Sequence, residues 1–136
     1  MNRKVLIVDD SMLVRSGLQT SLAKSGNWDE ILTAENGKNG LEMILSEKPD
    51  IVLLDVEMPE MDGIAVLKEI ASKKRGGEID KKMPVIILSG TMYENNENVR
   101  KAKMLGAEDV VAKPEGKSST LMIPVGDLEE RMLNLL

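Results

Sequence analysis

Apolar residues in this chain gather in short unbroken runs, and each run is followed by a polar stretch and then by apolar residues at helical spacing. Val5-Leu6-Ile7-Val8 and Ile51-Val52-Leu53-Leu54 are the clearest runs, and both end on acids, Asp9-Asp10 and Asp55. A run of this kind, aliphatic without alternation, predicts a strand covered on both faces within a parallel sheet. Carboxylates at the carboxyl ends of such strands face the crevice where open α/β sheets bind ligands.

The pattern continues along the chain. Lys4–Val8 reads as the first strand, followed by a helix with Ser11 as N-cap and Val14, Leu18 and Leu22 stacked at i, i+4 spacing. Gly26-Asn27 breaks that helix, Glu30–Ala34 is a weaker second strand, and Asn36-Gly37 turns into a helix carrying Leu41, Ile44 and Leu45. Lys48-Pro49-Asp50 stops it and leads into the third strand, Ile51–Leu54. After a loop that contains Pro59, a helix is predicted around Asp62–Ser72, with Ile64, Leu67, Ile70 and Ala71 on one face. Lys73–Lys82 is polar, contains Gly76-Gly77, and reads as a flexible loop. Pro84–Leu88 is the fourth strand, a helix lies near Asn95–Leu105, Asp109–Ala112 is the fifth strand, and Leu128, Met132 and Leu135 stripe a last helix. Strict βα alternation with right-handed crossovers implies an α/β fold: one doubly wound parallel sheet with helices on both faces. The whole of 1–136 is expected to be one domain.

Composition narrows the chemistry. Histidine and cysteine are both absent, so imidazole and thiolate are excluded as ligand, base or nucleophile, and any metal must be held by oxygen. The net charge of −5 speaks against nucleic acid as a direct partner. No apolar stretch reaches the roughly 18 residues of a membrane span and no signal-peptide pattern opens the chain, so a cytoplasmic protein without membrane contact is expected. Phe is absent and Trp28 and Tyr93 are the only aromatic residues, so ten Met join Leu, Ile and Val as the available core formers, with a plastic core as the expectation. The chain stops on Leu136 within a helical pattern, which fits either a single-domain protein or a fragment of a longer one.

Strand ends one, three, four and five offer Asp9 and Asp10, Asp55, Ser89 and Lys113. Taken singly, each has a plain structural reading: an Asp after a strand caps a helix, Ser89 caps or turns, and Lys113 is solvated. In register on neighbouring strands they suit phosphoryl transfer. Acids crowded in one pocket repel one another unless a cation joins them, and hard oxygen donors suit Mg²⁺. A carboxylate such as Asp55 can form an acyl phosphate, while a Lys113 ammonium and a Ser89 hydroxyl neutralise and hold the phosphoryl oxygens.

Four segments, "VLIVDDS" at Val5–Ser11, "PDIVLLDVEMPEMDG" at Pro49–Gly63, "PVIILSG" at Pro84–Gly90 and "LGAEDVVAKP" at Leu105–Pro114, resemble the response-regulator receivers, the CheY-like phosphoacceptor domains of two-component signalling. The resemblance covers essentially the whole chain and implies a flavodoxin-like (βα)5 three-layer sandwich. It implies that Asp55 is the phosphorylated aspartate, that Asp10 and Asp55 ligate Mg²⁺ (Mn²⁺ as a substitute), that Asp9 holds the metal through water, and that the Glu57 backbone carbonyl completes the protein ligands. Ser89 matches the switch hydroxyl and Lys113 the lysine that bridges to the phosphoryl group. A cis Lys113–Pro114 peptide is implied as well, and Glu57 and Thr91 match positions that tune the lifetime of the phosphorylated form. The implied donor is a sensor histidine kinase. The implied output is a downstream protein or an effector domain missing from this chain, since no DNA-binding region follows.

In one respect the chain departs from the family it resembles. Receivers usually carry Tyr or Phe three residues before the active-site lysine, and here that position is Val110. Tyr93, four residues past Ser89, is a possible substitute ring. The strings "DVEMPEMDG" and "AKPEGKSS" look nearest to receivers fused to a chemotaxis protein-glutamate methylesterase, although a chain without histidine holds no Ser-His-Asp set. The competing reading is a Mg²⁺-dependent phosphohydrolase with an aspartyl nucleophile. Such enzymes typically place Asp-x-Asp after the first strand, whereas the acids here are adjacent.

Overall fold

The aliphatic runs form the strands that their pattern predicts. The computed structural model describes residues 3–58, 61–89, 97–113 and 125–136. Its strands are β1 (Lys4–Val8), β2 (Glu30–Ala34), β3 (Ile51–Asp55), β4 (Val85–Ser89) and β5 (Asp109–Ala112). Between and after them come α1 (Met12–Ser25), α2 (Gly37–Glu47), α3 (Gly63–Arg75), α4 (Glu97–Met104) and α5 (Gly126–Asn134). All strand pairs are parallel in the order β2-β1-β3-β4-β5. The order reverses at β1, so the crevice opens between the carboxyl ends of β1 and β3, where the acids lie.

Each central strand is buried on both faces, and its alternate residues feed two cores. Val5, Ile7, Ile51, Leu53, Ile86 and Leu88 pack with Leu18 and Leu22 of α1 and Leu128 and Met132 of α5. Leu6, Val8, Val52, Leu54, Val85 and Ile87 pack on the other face with Ile44 of α2, Val66, Leu67 and Ile70 of α3, and Val99 and Ala102 of α4. The result is three layers, with α1 and α5 on one side of the sheet and α2, α3 and α4 on the other. The largest fully buried side chains are all Leu or Ile. Among the described methionines, Met58, Met83 and Met132 are buried whereas Met12 and Met104 are exposed, so methionine fills the margins of a core that branched aliphatics dominate.

Side-chain caps start the helices where the sequence places them. Ser11, Asn36 and Asp62 each accept a hydrogen bond from the amide three residues on, at Val14, Asn39 and Ala65. The segment after α3 differs from the expected flexible loop. Lys73–Arg75 extend the helix, the amides of Glu78 and Ile79 donate to the Lys73 carbonyl, and Lys74 Nζ donates to the Met83 carbonyl at 2.6 Å. Ile79 and Met83 are buried against the α3 side of the sheet. Two apolar residues four apart anchor a stretch whose overall polarity suggested a free loop.

Gly63, the first residue of α3, sits against the end of β3. A Cβ there would collide with the Asp55 carbonyl oxygen and lie 2.7 Å from Val56 Cα, while the Gly63 amide donates to the Val56 carbonyl at 3.0 Å. Both obstacles are backbone, so the helix must move away. Gly63→Ala is expected to destabilise the protein by about 2–3 kcal/mol in urea unfolding. A variant as stable as the wild type would show that this approach is not tight.

Candidate phosphoacceptor site

Parallel pairing brings the acids together. Val8 and Leu54 are register partners in β1 and β3, so Asp9 and Asp55 follow side by side at the carboxyl end of the sheet. Asp9, Asp55 and Ser89 are buried and Asp10 is exposed. Asp9, Asp10 and Asp55 each present a carboxylate oxygen within 4.8 Å of the others. Ser89 ends β4 beside Ala112, and its carbonyl accepts a 2.8 Å hydrogen bond from the Lys113 amide, which carries Lys113 toward the acids. Lys113 Nζ then lies 3.1 Å from Asp55 Oδ2 and 3.2 Å from Asp9 Oδ2.

Backbone amides hold the acids' other oxygens. The Ser11 amide donates to Asp9 Oδ1 at 2.8 Å, and the Glu57 amide donates to Asp55 Oδ1 at 3.2 Å. Burial pushes Asp55 up to about 6, the neighbouring Asp9 charge adds to the rise, and Lys113 offsets only part of it. Burial likewise raises Asp9, against the pull of the Ser11 amide and of Lys113. For Lys113, burial favours the neutral amine, but the two carboxylates outweigh it and hold the ammonium above its ordinary pKa.

One ammonium does not satisfy this cluster. Asp9 Oδ2 is buried without a hydrogen-bond partner; Lys113 reaches ion-pair distance but not hydrogen-bond alignment. An orphaned anionic oxygen beside two more carboxylates, in a chain without histidine or cysteine, fits a hard divalent cation such as Mg²⁺.

The sequence-predicted residues Asp9, Asp10, Asp55, Ser89 and Lys113 thus meet at one end of the sheet, with Glu57 exposed beside them. Val110 instead lies lower on β5, buried on the α4 side with Val99 and Ala102. Thr91, Tyr93, Pro59 and the Lys113–Pro114 peptide lie outside the described residues. Arg15 joins the site from outside the residues that the sequence pattern marks. Its guanidinium donates to the Asp9 carbonyl at 2.7 Å, and its position on the helical turn after the Ser11 cap was the available signal.

The family model for the response regulator receiver domain matches residues 5–123. This chain belongs to that family. Among curated relatives, it is 40% identical over 124 residues to a protein-glutamate methylesterase/protein-glutamine glutaminase of Geobacillus kaustophilus, a match covering 91% of this chain and 34% of that protein. The chain therefore spans about a third of the length of the curated relatives it matches. Among solved structures, chemotaxis protein CheY4 of Vibrio cholerae superposes over 100% of both chains with a TM-score of 0.79 at 24% identity, a likeness of fold. Response regulator TrrA of Thermotoga maritima, solved in complex with Mg²⁺ and a beryllofluoride, matches with a TM-score of 0.72 at 27% identity, covering 98% of this chain and 99% of that one. No helix among the described residues is long and apolar enough to cross a membrane.

Proposed function

We propose that residues 1–136 form a single receiver domain whose Asp55 accepts a phosphoryl group from the phosphohistidine of a sensor histidine kinase. The observation that carries this reading is the Asp55 carboxylate, buried at a strand end, 3.1 Å from Lys113 and grouped with Asp9 and Asp10. An Asp55 oxygen attacks phosphorus, the P–O bond forms as the P–N bond breaks, and the imidazole leaves with the electron pair. Asp10, Asp55 and the Glu57 carbonyl would hold Mg²⁺, or Mn²⁺ in its place, and Asp9 would hold it through water. The ion supplies charge neutralisation to the phosphoryl oxygens. Lys113 pairs with a phosphoryl oxygen, and Ser89 donates its hydroxyl to another. Glu57 and Thr91 flank the path of the water that ends the phosphorylated state.

The domain acts as a switch rather than as an enzyme, and its new charge biases a two-state surface. Val110 already fills the inward position on the α4 side, so no ring rotates there, and the movement of Ser89 passes to α4 through its Val99–Ala102 contact with the sheet. A cytoplasmic setting, a chemotaxis pathway and an effector of the methylesterase kind complete the proposal, and the methylesterase names of the curated relatives support the last of these. The chain makes no direct contact with nucleic acid or membrane in this reading.

Titration with beryllofluoride and Mg²⁺, followed by amide NMR, tests the switch. One saturable site per chain, with shifts centred on Asp55 and none when the cation is chelated, is expected. Multiple-turnover hydrolysis of unrelated phosphomonoesters would instead establish the phosphohydrolase.

A further inference from the structure

Among the described residues the Asp10 carboxylate has no hydrogen-bond or ion-pair partner, so its backbone is what places it within the cluster. That backbone is fastened through Asp9. The Asp9 amide donates to the Ala34 carbonyl at 3.1 Å, tying it to β2, and Asp9 Oδ1 accepts from the Ser11 amide at 2.8 Å. The Asp9 carbonyl, which lies in the same peptide plane as the Asp10 amide, accepts from Arg15 Nη1 at 2.7 Å. A cation donor makes this the strongest class of bond to a carbonyl. Arg15 is itself held in the first turn of α1, where its amide donates to the Ser11 carbonyl at 3.0 Å. Its side chain is half-buried at the edge of a depression that Thr33, Glu35, Asn39 and Glu42 also line, yet neither glutamate pairs with it.

We infer that Arg15 is a positioning residue for the divalent-cation site: by holding the Asp9–Asp10 peptide plane it aims the Asp10 carboxylate at the ion. The inference rests on the reading that these acids hold a divalent cation. Its physical content separates it from a charge effect, because the two act in opposite directions. As a bare positive charge near the acids, Arg15 repels a dication, so removing it tightens binding. As a clamp on the peptide plane, Arg15 preorganises the donors, so removing it weakens binding. Partners that orient metal ligands are typically worth about 10–100-fold in affinity.

Isothermal titration of the intact chain with Mg²⁺, repeated with Mn²⁺ by electron paramagnetic resonance, decides between them. Arg15→Met, which keeps the aliphatic stem and removes donors and charge, is expected to weaken binding of both ions by about 10-fold. Arg15→Lys, which restores one donor and the charge, recovers part of that loss. Binding by Arg15→Met as tight as in the wild type, or tighter, overturns the clamp. Weakening that Arg15→Lys leaves wholly unrepaired also overturns it. Thermal melting without cation shows whether each variant is folded; should Arg15→Met fail to fold, Arg15→Gln, neutral with a donor, takes its place with the same expected direction. Failure of the wild type to bind either ion removes the functional reading itself, and is distinct from equal binding by wild type and variant.

Discussion

Asp55→Asn is expected to melt higher than the wild type in cation-free buffer at about pH 7.5, by roughly 5–10 °C. Burial and the Asp9 charge raise Asp55 from 3.8 to about 6 in the folded chain. A carboxyl whose folded pKa exceeds its unfolded one favours folding only while protonated. Its contribution is complete below 3.8 and is lost as pH rises to about 6. Above that window the ionised group costs up to about 3 kcal/mol relative to the protonated one. Asparagine mimics the protonated acid at every pH, so the gain persists at neutral pH and disappears near about pH 4, where the wild type is itself protonated. Saturating Mg²⁺ should shrink the difference by stabilising the wild type. Equal melting of the two proteins across the whole pH range would show that the acid pocket is not strained.

Lys113→Met should act in the opposite direction and as strongly. Lys113 is the cation shared by two buried carboxylates, at 3.2 Å from Asp9 and 3.1 Å from Asp55. Removing one partner of a buried pair strands the other charge. Because the Lys113 side chain keeps 21% of its exposure, the cost is placed at about 2–4 kcal/mol, below the full buried-pair value. The sign follows from linkage. Lys113 has a raised pKa, so its ammonium is fully present at neutral pH, and the loss is greatest where both acids are ionised. Acidifying through about pH 6 lets Asp55 take up a proton and narrows the gap. Urea unfolding at about pH 8 and pH 5 checks this; a pH-independent loss would point to packing of the lysine stem instead.

Much of this architecture is legible in the sequence for a physical reason. An unalternating aliphatic run fits a strand buried on both faces, and β1, β2 and β5 begin and end as the pattern predicts. The N-cap Ser11 is equally legible, since a short polar side chain before an apolar stripe has a definite partner, whereas at Asn36 and Asp62 the sequence marks a turn and a helix start and the structure adds the cap. Asp9, Asp10, Asp55, Ser89 and Lys113 stand out because each ends or follows a strand of one parallel sheet. Other features belong to tertiary geometry. The anchoring of Lys73–Lys82 depends on Ile79 and Met83 reaching the core, which the surrounding lysines and glycines conceal. The bond from Arg15 to the Asp9 carbonyl joins a side chain to a backbone group, and no residue type announces such an acceptor. Trp28, read only as one of two aromatic residues, packs beneath α5 and donates to Glu129 Oε2 at 2.9 Å, a contact across 101 positions of sequence.

The central claim is that Asp55 becomes an acyl phosphate with a divalent cation beside it. Incubation of the chain with acetyl phosphate and Mg²⁺, followed by mass spectrometry of the intact protein and of its peptides, tests this most directly. One phosphoryl group per chain is expected, carried by the peptide containing Asp55, absent with a chelator and absent in Asp55→Asn. A phosphoryl group on any other residue, or undiminished labelling of Asp55→Asn, would contradict the account.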